Sequence, residues 1–186
     1  MSNLHVIVCS TRPGRIGLAI GEWFAKQARL HNGFNVRLVD LKEVNLPIFD
    51  EPNHPMRQQY EHDHTKRWSE IVAEGDAFVF VMPEYNHSFN AALKNAIDYL
   101  YREWKFKPTA IVCYGGASGG HRAAQAIKPI LTALDMTPIS STIAISNVQQ
   151  HIKDARFESN EAYNGAVVVL LDALLRMQTA LAPLRA

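Results

Sequence analysis

Short apolar runs that are typical of strands alternate with longer amphipathic segments along nearly the whole chain. This alternation constrains the fold more than any other feature, because it predicts a parallel sheet covered by helices on both faces. The runs are rich in valine, isoleucine and phenylalanine, as expected for strands buried on both sides. The five predicted strands are 4–9, 35–40, 77–82, 109–114 and 137–145.

The segments between and after these strands place apolar side chains on one stripe with helical spacing. Pro129 lies inside one of them, where it predicts a kink or the end of a first helical segment, because proline lacks a backbone N–H. The 186 residues suffice for one domain with a single core, and we expect one domain over residues 1–186. The predicted helices lie around 16–24, 65–74, 89–100, 121–134 and 163–181.

The charge pattern and the cysteines argue against several classes of protein. The net charge is +1 and the two signs are interspersed, so no basic patch predicts binding to nucleic acid or to a membrane surface. Cys9 and Cys113 lie in apolar runs, which favours buried, reduced thiols over disulfides or zinc ligands. No signal peptide and no apolar stretch of about 18 residues is evident. We expect a cytoplasmic protein that acts on small molecules.

A loop rich in hydroxyl groups and arginine joins the first strand to the first helix. Such a loop predicts an anion site, because the first N–H groups of a helix and its dipole attract phosphate and guanidinium adds charge-assisted hydrogen bonds. Neither the Walker A pattern nor the Gly-x-Gly-x-x-Gly pattern is present. A compact terminal phosphate, such as that of FMN, suits the loop, and a solvated turn with a helix cap is the alternative. The loop reads Ser10-Thr11-Arg12-Pro13-Gly14-Arg15-Ile16-Gly17.

Two more unusual loops follow the third and fourth predicted strands. Residues 83–88 combine the aromatic ring of Tyr85 with several hydrogen-bonding groups, although a capped helix start would have a similar composition. Residues 114–122 contain four glycines, which would let a flat ligand approach the backbone, although a flexible connection is the alternative. Arg122 either meets a phosphate of a cofactor or is a solvated helix arginine.

The order of the strands decides whether the three loops meet. In the flavodoxin-like order 2-1-3-4-5, strands one, three and four are neighbours, and their carboxyl ends open on one edge beside the topological switch point. The first loop would hold a phosphate, Tyr85 in the second would face an aromatic ring system, and the third would close against its polar edge. We therefore predict a flavodoxin-like three-layer α/β/α fold with a five-stranded parallel sheet and an FMN site at this edge.

The longest irregular stretch, 46–63, contains His54 and His62 and is followed by His64. Long loops are often functional, but two histidines spaced like His62 and His64, without a third ligand, do not predict a metal site. Four aromatic residues in the segment before the fourth strand would either form a subunit contact or pack under this loop. They are Tyr99, Tyr101, Trp104 and Phe106.

Over about residues 4–148 the chain resembles the NADPH-dependent FMN reductase family, a flavodoxin-like group that includes quinone, chromate and azo-compound reductases. The residues that carry the resemblance are Pro83-Glu84-Tyr85-Asn86-His87-Ser88, Leu93-Lys94-Asn95-Ala96-Ile97-Asp98, Ser10-x-Arg12 and Gly115-Gly116-x-x-Gly119-Gly120-x-Arg122. Members often have glycine where this chain has Cys9, and Pro-Gly where it has Asn90-Ala91.

The resemblance implies which residues hold FMN. The group around the phosphate would be Ser10, Arg12, Arg15, Ile16 and Gly17. The group along the isoalloxazine and ribityl chain would be Pro83, Glu84, Tyr85 and Asn86, with Gly115 and Gly116 beside the flavin ring. No side chain would be catalytic and no metal would be needed, because hydride transfer takes place at N5 of the flavin.

The resemblance also implies an activity. Hydride would pass from NADPH or NADH to bound FMN and then to a quinone, a flavin or a similar acceptor, by a ping-pong mechanism, in a homodimer or homotetramer. A non-catalytic electron carrier of the flavodoxin type is the alternative, although such carriers are typically strongly acidic and this chain is not. A flavin-binding redox sensor is a further alternative.

Overall fold

The computed structural model describes residues 1–185 and has the predicted sheet. All five strands are parallel and their order is β2-β1-β3-β4-β5. Each strand overlaps its predicted run, so the buried-strand pattern located the sheet correctly. The strands are β1 Ser2–Val8, β2 Phe34–Asp40, β3 Ala77–Pro83, β4 Pro108–Tyr114 and β5 Thr137–Ile145.

Helices cover both faces of this sheet. One face packs against α1 and α6, and the other packs against α3, α4 and α5. A four-residue helix, α2, and a short hairpin of β6 and β7 were not predicted. The helices are α1 Gly17–Leu30, α2 Leu41–Val44, α3 Asp63–Glu74, α4 Ala91–Asp98, α5 His121–Ala133 and α6 Glu161–Leu181, and the hairpin strands are β6 Ile152–Lys153 and β7 Arg156–Phe157.

Side chains of the central strands alternate between two apolar layers. Val79 and Val81 of β3 pack toward α1 and α6, while Phe80 and Met82 pack toward α3, α4 and α5. All four are 1% exposed or less, as expected for a strand covered on both faces. Cys9 and Cys113 are both buried, as their apolar runs predict, and both are free thiols.

One of the two alternatives at Pro129 is excluded, and one other expectation for the helices was wrong. Helix α5 continues through Pro129, so no helical segment ends there. The segment Glu161–Arg185, with a mean hydropathy of 1.6, is long and apolar enough to cross a membrane by length and composition, although no such stretch was expected. In the structure its side chains Val167, Leu170 and Leu174 are 1% exposed or less and cover the sheet, which is the packing of a core helix.

Buried polar contacts hold the long loop 46–63 against the body of the protein. The Glu103 carboxylate, only 6% exposed, accepts hydrogen bonds from the Tyr60 hydroxyl at 2.9 Å and the Ser69 hydroxyl at 2.6 Å. Burial and the nearby Glu103 charge raise the pKa of Tyr60, so this hydroxyl stays protonated and donates. Gln58 also donates to Glu103, at 3.3 Å.

Two of the four aromatic residues before β4, Tyr99 and Trp104, pack inward. The Tyr99 hydroxyl donates to Asp50 of the loop at 2.9 Å, and Phe49 packs edge-on against the Tyr99 ring. Trp104 is fully buried and lies against Phe78. Tyr99 therefore packs under the 46–63 loop, as one of the two alternatives required, and Trp104 belongs to the core.

We expect Glu103→Ala to lower the free energy of unfolding by about 2 kcal/mol, because the side chains of Gln58, Tyr60 and Ser69 lose their buried acceptor. Urea unfolding measures this change, and limited proteolysis should show faster cleavage within 46–63. Glu70→Ala is the control, since Glu70 is an exposed glutamate on α3 and its loss should change stability by less than about 0.5 kcal/mol. Equal losses in the two variants would contradict the anchoring role of Glu103.

Candidate functional site

The three predicted loops meet at the carboxyl edge of the sheet around a cavity of about 400 Å³. This volume lies within the range of about 300–1,000 Å³ that is usual for small-molecule sites. Of the predicted residues, all but Ser10, Gly17 and Asn86 line it. The lining residues are Arg12, Arg15, Ile16, Pro83, Glu84, Tyr85, Tyr114, Gly115, Gly116, Asn147, Val148, Gln149 and Gln150.

One end of the site is the N-terminus of α1, which no side chain caps. Ser10 is 1% exposed and its Oγ atom, although it lies near the Tyr114 hydroxyl, has no partner with hydrogen-bond geometry. A Cβ atom on Gly17 would collide with both hydroxyl groups, so only glycine lets them approach the helix start. Uncapped amides and an unpartnered buried hydroxyl are the donors that an oxyanion requires.

The two arginines of the first loop have different surroundings. Arg15 forms an ion pair with Asp40 through two nitrogen atoms, and it donates to the Ser10 carbonyl at 2.6 Å. Its side chain is only 8% exposed. Arg12 is exposed, and within residues 1–185 its side chain has no ion-pair partner. The structure thus gives Arg15 a role in fixing the loop and leaves the charge of Arg12 available to a ligand.

The loop after β3 is a tight turn that presents an aromatic ring. Tyr85 and Ser88 exchange backbone hydrogen bonds of 2.9 and 3.0 Å, and Asn86 and His87 both have positive φ, which is typical of a type I′ turn. The Tyr85 ring, 38% exposed, lines the cavity. Asn86, which was predicted to lie along the flavin, occupies the turn and is not among the residues that line the cavity.

The glycine-rich loop is fixed on two sides. On one side its backbone joins the end of β5, since Asn147 and Val148 donate to the carbonyls of Gly116 and Gly115 at 2.8 and 3.0 Å. On the other side Ser118 and Arg122 donate to the carboxylate of Glu84. Gly120 has a φ of +88°, a conformation that favours glycine. The loop is therefore not the flexible connection that its composition allows.

Glu84 and Arg122 form an ion pair that the sequence did not predict. The Glu84 side chain is 7% exposed and pairs with Arg122, at 2.6 Å between its Oε1 atom and a terminal guanidinium nitrogen. Burial opposes ionisation of Glu84, but hydrogen bonds from Arg122 and Ser118 lower its pKa. Arg122, for which the sequence left open a phosphate contact or a solvated helix arginine, is half-exposed on α5 and pairs with Glu84.

Sequence reasoning missed Tyr114 and the segment 147–150 as parts of the site. Tyr114 reads as the last apolar residue of a buried strand, yet its hydroxyl reaches the start of α1. Gln149 and Gln150 have no distinctive motif, and the only available signal was their position after β5, the next strand at the same edge.

Asn90, where family members often have proline, ties the second loop to the first. Its side chain is 4% exposed and donates from Nδ2 to the Cys9 carbonyl at 2.7 Å. This bond holds the start of α4 against the end of β1. The departure from the family pattern is therefore a structural contact in this chain.

The sequence profile of the family described as NADPH-dependent FMN reductase matches residues 2–150. An NAD(P)H-dependent FMN reductase of Schizosaccharomyces pombe is 42% identical over 122 residues, 64% of this chain and 61% of that protein. A quinone reductase of Pseudomonas putida is 38% identical over 98 residues, 50% of this chain and 51% of that protein. The chain thus spans about three fifths or less of the length of these relatives.

Solved structures share the fold. A flavoenzyme described as an NAD(P)H:(acceptor) oxidoreductase, FerB from Paracoccus denitrificans, superposes with a TM-score of 0.76 at 21% identity, covering 97% of this chain and 98% of that chain. The flavodoxin of Megasphaera elsdenii has a TM-score of 0.58 at 12% identity, covering 93% and 98% of the two chains. These likenesses confirm the flavodoxin-like architecture.

We expect Ser10→Ala to weaken FMN binding about tenfold without lowering the free energy of unfolding of the FMN-free protein. The reason is that the hydroxyl is buried without a partner when no ligand is present, so its removal costs nothing. Calorimetric titration and urea unfolding measure the two quantities.

Thr109→Val is the matched control for this prediction. Thr109 also has a buried hydroxyl without a partner, but it lies near the start of β4, at the opposite edge of the sheet. This variant should leave FMN affinity unchanged. A satisfied hydrogen bond contributes about 1 kcal/mol to the free energy of unfolding. If Ser10→Ala lowered this free energy by that amount or more, the Ser10 hydroxyl would have a partner within the protein.

Proposed function

The chain belongs to the NADPH-dependent FMN reductase family, and from that membership we propose that it binds FMN in the cavity at the carboxyl edge of the sheet and oxidises NAD(P)H there. The acceptor of the electrons would be a quinone, a flavin or a similar small molecule. Relatives named FMN reductase and quinone reductase support this oxidoreductase activity.

The single observation that carries the proposal is the unpartnered hydroxyl of Ser10 at the uncapped start of α1, where Arg15 and Ile16 line the cavity. A buried polar group without a partner costs free energy, and a phosphate at this place would satisfy it together with the helix amides. Arg12 adds a positive charge beside the same end. The residues present therefore fit the phosphate of FMN.

When bound, FMN would supply the redox chemistry, accepting hydride from NAD(P)H and passing it to the acceptor in a separate half-reaction, a ping-pong mechanism. The residues of the chain bind and orient it. Tyr85 offers an aromatic surface, and the open backbone at Gly116, where an added Cβ would meet no atom within 4 Å, admits a flat ring. No side chain is assigned a catalytic role and no metal is required.

The proposal includes the domain organisation, the cellular location and the oligomeric state of the protein. We infer one functional domain over residues 1–186, acting in the cytoplasm as a homodimer or homotetramer. The near-neutral charge favours a small-molecule acceptor over docking to a strongly basic protein partner, which an electron carrier would need.

The proposed function predicts that the purified protein is yellow, and that anaerobic addition of NADPH bleaches its visible absorbance. Chromatography should identify the released flavin as FMN, and initial rates at several acceptor concentrations should give parallel double-reciprocal lines. A flavin that neither NADPH nor NADH reduces would favour the carrier or sensor. A colourless protein that takes up no added FMN would overturn the proposed function.

A second prediction concerns Arg12. Arg12→Ala should weaken FMN binding about tenfold, since a hydrogen bond to a charged group contributes about 1.5–3 kcal/mol. Riboflavin, which lacks the phosphate, should bind the variant and the original protein equally well. Arg29→Ala, an exposed arginine at the other end of α1, should leave both affinities unchanged. Equal loss of FMN and riboflavin affinity would place Arg12 elsewhere in the site.

A further inference from the structure

We propose that Glu84 and Arg122 form a latch that holds the glycine-rich loop against the turn after β3 and keeps the net charge of this cavity wall at zero. The proposal rests on the proposed function, because it concerns the wall beside the predicted flavin ring. Both are positioning residues, which act through the loop and through charge.

The contacts of the Glu84 carboxylate all come from one segment. It accepts from the Ser118 hydroxyl at 2.9 Å, from the Arg122 backbone N–H at 3.2 Å and from Arg122 Nε at 2.7 Å. A terminal guanidinium nitrogen of Arg122 lies 2.6 Å away. A carboxylate only 7% exposed needs such partners, because an unpaired buried charge is strongly unfavourable.

The latch also replaces a missing helix cap. Gly120 is the N-cap residue of α5 and has no side chain to accept from the first amides of the helix. Glu84 supplies this acceptor from another loop, since it binds the N–H of Arg122 in the first turn. The start of α5 and the loop before it therefore depend on a residue that follows β3.

The latch joins two walls of the cavity. Glu84 follows Pro83 and precedes Tyr85, while the segment that it binds begins just after Gly115 and Gly116, and all of these residues line the cavity. The pair thereby ties the two walls together through side chains, beyond the backbone bond from the Glu84 N–H to the Tyr114 carbonyl. Because Arg122 balances Glu84, the pair adds no net charge where reduction would make the bound flavin more negative.

Opposite charge changes test this proposal. Arg122→Gln leaves the Glu84 charge unbalanced and should weaken the binding of reduced FMN about tenfold relative to the binding of oxidised FMN. For a two-electron couple, this change lowers the reduction potential of the bound flavin by about 30 mV. Glu84→Gln leaves the Arg122 charge unbalanced and should raise the reduction potential of bound FMN. The shift should be smaller, because solvent screens the half-exposed guanidinium. The double variant should have a reduction potential close to that of the original protein.

Hydrogen exchange of the FMN-free protein tests whether the pair of Glu84 and Arg122 holds the glycine-rich loop in place. Both single variants and the double variant should exchange amides of 115–122 about tenfold faster than the original protein, since the loop opens more often. Arg37→Gln is the matched control, because Arg37 forms an exposed pair with Glu74 away from the cavity and should change neither exchange in the loop nor the potential.

The outcomes separate the latch from the proposed function. Unchanged exchange in Glu84→Gln would overturn the latch, and shifts of potential in the same direction in both single variants would overturn the charge balance. If the original protein bound no FMN, the proposed function would fail, while the exchange measurement would still decide whether Glu84 holds the loop.

Discussion

The structure depends on the parallel register of β1, β3 and β4. Val81 of β3 pairs with Val8 on one side and with Val112 on the other, so the three strands end within two residues of one another. Backbone bonds extend this alignment past the strands, since the N–H of Cys9 donates to Val81 and the N–H of Glu84 donates to Tyr114, both at 2.9 Å. Loops that are far apart in sequence thus begin within one ladder, and the cavity is the space between them.

The sequence predicted most of this architecture because the signals were local. Buried runs of valine, isoleucine and phenylalanine identify strands regardless of their partners. The composition of the loop before α1 likewise indicates a helix N-terminus that can bind an anion. Contacts between loops could not be predicted in this way. The pairing of Arg15 with Asp40 and of Glu84 with Arg122 depends on where strand ends lie in space, and the hydroxyl of Tyr114 reaches the site from a residue that reads as core. Local signals also could not decide between a kink and an end at Pro129, where α5 continues because the buried Ile127 and Leu131 on either side pack into the core.

Stability and binding make opposite demands on the first loop. A buried hydroxyl without a partner at Ser10 and an uncapped α1 both cost free energy in the free protein. The surrounding contacts offset this cost, because Arg15 is fixed by Asp40 and by the Ser10 carbonyl, and Asn90 holds the carbonyl of Cys9. Rigid neighbours keep the donors in place without satisfying them, which is how a preorganised site differs from a folded core.

The charges of the site then explain why one end of the cavity suits an anion and the other does not. Arg15 and Arg122 are each neutralised by a carboxylate that is itself largely buried. Arg12 has no such partner within residues 1–185, and it lies on the same loop as the uncapped start of α1, so the positive potential is concentrated there. At the wall formed by Glu84 and the glycine-rich loop the charges cancel. A ligand with a phosphate at one end and an uncharged flat ring at the other matches this distribution, whereas a ligand with charges at both ends would leave one of them unbalanced.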